Sequence, residues 1–257
     1  KQCVVVGRGR LGLSLAGALK CELLQGTTAQ EIPDRSLCLI AVPDQHIPAL
    51  ARRLRGKESA FVHLSGAYGL ELLEPLARQG YAVGAFHPMQ SFPEPRPPEA
   101  FAGTFFGIDA SSESLFDILT RLAEALGGWS ARMSGPNRAA YHAAATMAGP
   151  LVVALISIAV RQLERAGLSA EQALTAILPY LAGTVRNLQS QRLPGALIGP
   201  VRRGDAVTVR RHIEAMDAAA RAAYIPLSEE AIRLARQAGL NDEALGTLLE
   251  ALREDRL

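Results

Sequence analysis

The chain has 257 residues, of which 49% are hydrophobic and 20% charged, enough apolar sequence for a substantial core. A formal net charge of +2 gives no basic footprint for nucleic acid, so a nucleic-acid partner is not expected. The three cysteines show neither CxxC nor Cys/His spacing, so no metal site is expected and free thiols in a reducing, cytoplasmic compartment are predicted.

A glycine-rich turn near the start of the chain separates a β-branched run from an amphipathic helix. Residues 4–6 predict a strand and residues 11–19 a helix, and Gly7, Gly9 and Gly12 lie across the turn between them. Gly7 suits a sharp turn, Gly9 the approach of a pyrophosphate, and Gly12 close packing of helix on strand. The pattern predicts a dinucleotide site on the first turn of the helix; the alternative is a glycine-rich turn without a ligand.

Further apolar runs alternate with helical segments as far as residue 126. Strands are predicted at 37–42, 60–64, 81–86 and 104–108, and helices at 44–54, 66–78 and 112–126. Continuous apolar strands spaced by helices indicate an α/β fold: a Rossmann-type, doubly wound parallel sheet covered on both faces.

The chain between the first helix and residue 37 is too short for the usual strand, helix and return strand. Residues 21–24 predict only a short second strand. An acidic residue at its end would bind the ribose 2′-hydroxyl of NAD, but Thr27 follows here, with Arg8 and Arg10 in the nearby turn. The sequence therefore favours NADP over NAD, while a solvated loop edge is the alternative for both arginines.

From residue 135 onward the pattern is helical, which predicts a dinucleotide-binding domain at 1–134 and an all-helical domain at 135–257. A long helix is expected at 138–166 with a break at Pro150, then one from Ser169 to 189, one from Asp205 to 223, and two within 226–257. Residues 143–160 carry no charge and reach the length of a membrane span. Their small and polar residues instead favour a helix buried in a domain or dimer core.

Candidate catalytic residues stand at the carboxyl ends of the predicted strands, where ligands bind in this fold. The backbone of Ala41, Val42 and Pro43 would lie along the cofactor, and Ser65 and His87 would face its nicotinamide. Histidine suits proton transfer near pH 7. The alternatives are a helix N-cap for Ser65 and a packing role for His87.

Two positions in the helical part are candidates for holding substrate. His142 begins an apolar helix, where a polar group is costly unless it is satisfied, and a satisfied core histidine is the alternative. Arg203 lies in a tight loop before a helix and suits bidentate binding of a carboxylate; a solvated loop is its alternative.

These motifs together resemble one family along most of the chain. They are GxGxxG at 7–12, LIAVPD at 39–44, HLSGA at 63–67, HPMQSF at 87–92, YHAA at 141–144 and GPVRRGD at 199–205. The set looks like the Rossmann-like proteins whose C-terminal half is called domain of unknown function 2520. The resemblance implies NADP-dependent oxidoreduction, with cofactor on Gly7, Arg8, Gly9, Arg10, Leu11 and Gly12, and a homodimer formed through the helical domain.

A more distant resemblance concerns the predicted active site. Ser65 and the run His87-Pro88-Met89 look like the serine and histidine segments of prephenate and arogenate dehydrogenases. By that match His87 would be the acid/base residue, and Pro88 and Met89 would lie against substrate. Ala67 stands where that group has a lysine, which argues against prephenate itself. Ketopantoate and pyrroline-5-carboxylate reductases share the two-domain plan.

Three functions of different classes are compatible with the sequence. The first is an oxidoreductase that moves hydride between NADP(H) and a small, carboxylate-bearing substrate in an interdomain cleft. The second is a dinucleotide-binding sensor or structural protein without turnover. The third is a helical interaction module that binds no nucleotide. Cofactor binding and cofactor-dependent turnover discriminate among them.

Overall fold

A computed structural model describes residues 2–26, 28–135 and 137–253. Two compact units make up the chain, residues 1–149 and residues 150–257. Each has its own secondary structure and its own buried cluster of apolar side chains.

The first unit is built on one sheet, to which the described residues contribute seven strands in the order β2-β1-β3-β4-β5-β6-β7. The strands are β1 (Gln2–Val6), β2 (Glu22–Leu24), β3 (Ser36–Ile40), β4 (Ala60–His63), β5 (Ala82–Pro88), β6 (Phe105–Ala110) and β7 (Trp129–Arg132). The pairs β1–β2, β1–β3, β3–β4 and β4–β5 are parallel. The predicted Rossmann-type sheet is confirmed, including the short second strand at its edge.

Two details of the predicted sheet are wrong. Strand β6 pairs antiparallel with β5, because the loop between them holds only a short 3₁₀ turn at Pro98–Phe101 and no helix that would carry the chain back across the sheet. Strand β7 was missed because its sequence, Trp-Ser-Ala-Arg, has no apolar run and none of its residues is buried.

Helices cover both faces of this sheet. On the faces lie α1 (Arg10–Leu19), α2 (Ile47–Ala51), α3 (Glu74–Ala77) and α4 (Glu113–Ala125). A fifth helix, α5 (Asn137–Ala148), is hydrogen-bonded to residues at the ends of β4 and β5. Side chains such as Leu15, Phe86 and Leu119 pack on one face, and Ile47 and Leu73 on the other. The helices predicted at 44–54 and 66–78 are each shortened to a 3₁₀ turn followed by one or two helical turns.

The boundary between the compact units lies after Gly149 and not at the expected position 134/135. Helix α5 accounts for the difference. Arg138 and Tyr141 on α5 are buried and hydrogen-bonded to Ser65 and His87 at the ends of β4 and β5, so the helix packs with the sheet. A helical pattern alone does not show which unit a helix joins.

The second unit is helical, as predicted. It contains α6 (Pro150–Arg165), α7 (Ala170–Gly195), α8 (Pro200–Arg203), α9 (Ala206–Ala215), α10 (Ala218–Gln237) and α11 (Asp242–Arg253). The break at Pro150, the capping box of Ser169 and the N-cap of Asp205 are confirmed. The helix expected to reach residue 223 ends at Ala215, because Asp217 caps a new helix by accepting a bond from the Ala220 N–H.

The expectation of a helix buried at residues 143–160 is not met within one chain. Helix α6 has no buried residue, and Asn137–Arg165 is long and apolar enough, by length and composition, to cross a membrane. One such stretch is weak evidence for a span. Within the second unit, moreover, Gln162 of α6 donates to Asp217 and Arg165 donates to the Ala215 carbonyl, so α6 is bonded to its helical neighbours.

Candidate functional site

Glycine occupies each of positions 7, 9 and 12 in the first turn for a different structural reason. Gly7 has φ +126°, and a Cβ there would lie 2.3 Å from the Ala41 carbonyl oxygen. A Cβ on Gly12 would lie 2.1 Å from the carbonyl oxygen of Gly7, so only glycine lets α1 pack this closely on β1. Around Gly9 the nearest atom to a Cβ would be 4.0 Å away, so the space in front of this residue is open. The turn thus has the geometry that a pyrophosphate requires.

Helix α1 presents its N-terminus at this turn. Gly9 is the N-cap and provides no side-chain oxygen for the first-turn N–H groups. These groups and the positive end of the helix dipole favour an anion in front of Gly9. Arg10 donates to the Pro93 carbonyl at 3.0 Å and so points towards the loop after β5.

Two clefts adjoin the glycine turn at the carboxyl edge of the sheet, and both are lined by Gly9 and by Ala41–Pro43. The larger has a volume of about 630 Å³ and is also lined by Gly7, Arg8, Gln25, Gly26, His46, Ala49, Leu50 and Arg53. The other, of about 520 Å³, is also lined by Arg10, Leu11, Asp44, Leu64, Ser91, Phe92 and Pro93. The predicted cofactor residues therefore line these clefts, with three exceptions: Thr27 lies outside the described residues, and Gly12 and Ser65 line neither cleft.

Ser65 is buried in the turn that follows β4. Its Oγ donates to Asp44 Oδ2 at 2.8 Å and accepts from the Tyr68 N–H at 3.4 Å. The bond from Tyr68 closes the turn that follows β4. The helix N-cap expected as the alternative role of Ser65 is not found, because the next helical turn begins at Leu70 with Gly69 as its N-cap. The single hydroxyl proton of Ser65 is donated to Asp44, which lines the 520 Å³ cleft. The bond therefore links the end of β4 to the wall of that cleft.

His87, at the end of β5, is paired with Tyr141 of α5. The Nδ1 atom lies 2.7 Å from the Tyr141 hydroxyl, and that hydroxyl donates to the His87 carbonyl at 3.2 Å. Tyrosine has one hydroxyl proton, so both bonds form together only when Nδ1 carries a proton and donates it to Tyr141. The Nε2 atom of His87 then has a free lone pair and can accept a proton.

His142 and Gly66 surround the other side of the His87 ring. The two histidine rings meet edge to face with their centroids 5.7 Å apart. A Cβ on Gly66 would lie 2.5 Å from His142 Cδ2 and 2.8 Å from His87 Nε2, so both rings rest against the backbone of this glycine. The structure therefore brings His87 and His142, which were predicted from separate motifs, into contact. It also explains why residue 66 is glycine, which the sequence did not show.

The electrostatic environment keeps His87 uncharged. Burial lowers the pKa of His87 to about 3, and His142 and Arg138 add to the effect. Burial likewise lowers the pKa of His63 to about 4 and raises the pKa of Tyr141 to about 12. At neutral pH His87 is a neutral hydrogen-bonding base beside an un-ionised phenol.

Arg138 was missed by sequence reasoning and holds this site together. It is fully buried, with Nη2 donating to the Ser65 carbonyl at 2.6 Å and Nη1 to the Met133 carbonyl at 3.0 Å. The spacing of Arg138, Tyr141 and His142 places all three on one face of α5, and that spacing could have indicated a shared polar face. Arg138 fixes α5 against the strand end that carries Ser65.

The remaining predicted substrate residues are divided between the units. Pro88 is buried at the end of β5, and the Met89 N–H donates to the Phe105 carbonyl at 2.8 Å, so both lie next to His87 in the chain. Arg203 belongs to the second unit, where it is exposed in the last turn of α8.

Comparison with known proteins gives two family matches. Residues 22–88 match a Rossmann-like domain, beginning at β2 after the glycine turn, and residues 104–231 match the domain of unknown function 2520. A search of curated protein sequences finds no match to the chain.

Several solved structures share the fold. A protein from Thermotoga maritima is 23% identical, with a TM-score of 0.66, and the match covers 99% of this chain and 100% of that one. A Bacteroides fragilis protein provisionally named an NADP oxidoreductase is 20% identical, with a TM-score of 0.65 and coverages of 92% and 96%. Pyrroline carboxylate reductase from Plasmodium falciparum, solved with NADP bound, is 10% identical, with a TM-score of 0.57 and coverages of 99% and 97%.

At these identities the structures establish the fold, and the two family models identify the parts of the chain. The predicted fold class is confirmed, and so is the predicted resemblance to proteins with a domain of unknown function 2520. The chain therefore belongs to the Rossmann-like proteins that carry a domain of unknown function 2520.

Proposed function

We propose that the protein is an NADP-dependent oxidoreductase that moves hydride between NADP(H) and a small, carboxylate-bearing substrate. The observation that carries the proposal is the open glycine turn at the carboxyl edge of the sheet, with two clefts adjoining it. His87 ends a strand that runs parallel to β4, so it lies at this same edge, where ligands bind in doubly wound folds.

The cofactor supplies the hydride, and the first unit has residues that fit it. The backbone N–H groups that follow Gly9 would hold the pyrophosphate. Ala41, Val42 and Pro43, which line both clefts, would lie along the nucleotide. The names of the pyrroline carboxylate reductase and of the Bacteroides protein, both linked to NADP, are consistent with this cofactor.

His87 would transfer the proton that accompanies the hydride. When substrate is oxidised, Nε2 accepts the proton of its hydroxyl or amino group, and in reduction the proton returns to substrate. Tyr141 would hold the ring in the required tautomer, and Ser65 would be a positioning residue. We further propose that Pro88, Met89 and His142 contact substrate and that Arg203 binds its carboxylate.

The second unit would form a homodimer, and the protein would be cytoplasmic, with neither membrane nor nucleic acid as a partner. A second copy would cover the apolar side chains that α6 and α7 leave exposed, among them Val153 and Leu178, which are 71% and 53% exposed. Large exposed apolar patches mark protein interfaces as well as membrane surfaces, and the polar bonds of α6 within its own unit favour an interface.

Titration with NADPH and with NADH, followed by nicotinamide fluorescence, tests cofactor binding. A panel of carbonyl and imine substrates then tests turnover. Binding of neither nucleotide would overturn the proposal, and binding without any oxidation of NADPH would favour the sensor.

With an active substrate, His87→Gln should lower kcat about 10²- to 10⁴-fold, because a proton-transfer group is lost. NADPH affinity serves as the internal control and should not change, since His87 does not line the two clefts. Normal turnover by this variant would contradict the role of His87.

A further inference from the structure

Among the described residues that directly follow β2, Gln25 and Gly26, there is neither an acidic side chain nor an arginine. In doubly wound folds the residue at this point selects between NAD and NADP, an acidic side chain binding the 2′-hydroxyl and an arginine accommodating the 2′-phosphate. Here β2 ends at Leu24 and is followed by Gln25 and Gly26. A Cβ on Gly26 would lie 2.6 Å from Val42 Cγ1, so the position is closed to any larger residue.

The Arg53 side chain, which comes from another part of the chain, lies beside the end of β2. Arg53 follows α2, and its Nη2 donates to the Gly26 carbonyl at 3.4 Å. The same side chain lines the 630 Å³ cleft together with Gly7 and Gly9, so its guanidinium lies on the nucleotide side of the strand end.

The charge of this cleft is of one sign. Arg8 and Arg53 line it, and among its described lining residues there is no aspartate or glutamate. A carboxylate that could bind the 2′-hydroxyl of NAD is therefore not part of this surface, while Arg8 and Arg53 offer planar donor groups for a phosphate.

We propose that Arg53 is the residue that selects NADP, by binding the 2′-phosphate with the assistance of Arg8. This inference rests on the proposed cofactor site. A guanidinium forms charge-assisted, bidentate hydrogen bonds with a phosphate. With the 2′-hydroxyl of NAD it can form only a weaker hydrogen bond, because the hydroxyl oxygen carries no charge. The short connection after β2 leaves this task to an arginine in the segment that follows α2.

Arg53→Gln tests the proposal, with Arg52→Gln as the matched control. Both arginines are exposed, but Arg52 does not line the cleft. Arg53→Gln should weaken NADPH binding about 10- to 100-fold and leave NADH binding unchanged, because NADH has no 2′-phosphate for Arg53 to bind. Arg52→Gln should leave both affinities unchanged. Adenosine 2′,5′-bisphosphate, as a fragment probe, should lose affinity in step with NADPH.

The outcomes separate this inference from the proposed function. Retention of NADPH affinity by Arg53→Gln within about twofold would overturn the role of Arg53 while leaving the oxidoreductase standing. Equal weakening of NADPH and NADH would also overturn it, since that result would indicate a general effect on the cleft. Failure of the unmodified protein to bind either nucleotide would overturn both proposals.

Discussion

The two units differ in how completely they bury their apolar side chains. In the first unit both faces of the sheet are covered, and side chains such as Val5, Phe86, Ile40 and Leu73 are fully buried. In the second unit the buried cluster is centred on α8–α11 and includes Val209. The first unit thus completes its core from one chain, whereas the second does not.

Helices α6 and α7 carry this difference. Helix α6 has no buried residue, and the buried residue of α7 is Ala173. An apolar groove of about 650 Å³ lies along α6, α7 and α10. An amphipathic helix buries its apolar face against another element, so the exposed apolar faces of α6 and α7 are consistent with the homodimer that we propose for the second unit.

The largest effect is expected for a substitution that disrupts the proposed homodimer interface of the second unit. Leu178→Glu would bring a charge into an apolar interface and should weaken self-association at least about 100-fold, to monomer at micromolar concentrations. Size-exclusion chromatography with light scattering measures this, and NADPH binding by the first unit should persist. Val207→Glu is the control, since Val207 is also exposed, at 66%, but lies on α9. Unchanged association of Leu178→Glu would contradict an interface at α7.

A second prediction concerns the packing of the first unit, where one helix offers matched positions. Gly12→Ala should destabilise the protein by about 3 kcal/mol and abolish nucleotide binding, because its Cβ would meet the Gly7 carbonyl oxygen at 2.1 Å. Gly17→Ala, whose Cβ would meet no atom within 4 Å outside the backbone of α1, should stabilise it by up to about 1 kcal/mol. Urea unfolding measures both. Equal effects would show that α1 is not tightly packed at Gly12.

A smaller effect concerns the stability of the first unit, which should decrease at acidic pH. The folded pKa values of His63 and His87 are lowered to about 4 and about 3, so the unfolded chain binds more protons below the ordinary value of 6.5. Stability from each group is complete above pH 6.5 and is lost as pH falls towards the folded pKa, by about 2 kcal/mol per histidine at pH 5.

Trp129 can report this loss, because it is the single tryptophan of the sequence and lies in the first unit. Urea unfolding followed by its fluorescence at pH 7 and pH 5 should show the decrease. His87→Gln should remove about half of the pH dependence. An unchanged dependence in that variant would mean that His87 is not held neutral by the fold.

Much of the fold could be predicted from local sequence. The glycine turn, the apolar strands and the caps at Ser169 and Asp205 each depend on residues within a few positions of one another. Backbone geometry and capping bonds of this kind act over one turn, so a short window contains the information. The direction of β6 depended instead on the missing crossover helix, and the exposure of α6 depended on what the rest of the chain leaves uncovered.

The candidate site divides in the same way. The sequence by itself determined a turn of the dinucleotide-binding type and indicated His87 and His142 as candidate site residues, because strand ends and glycine spacing are local features. Only the tertiary structure decided that Tyr141 sets the tautomer of His87 from 54 positions away, and that Arg53 reaches Gly26 across 27 positions. Such contacts depend on the packing of α5 and α2 against the sheet, and a side chain's partner across the fold is not encoded in its neighbours along the chain.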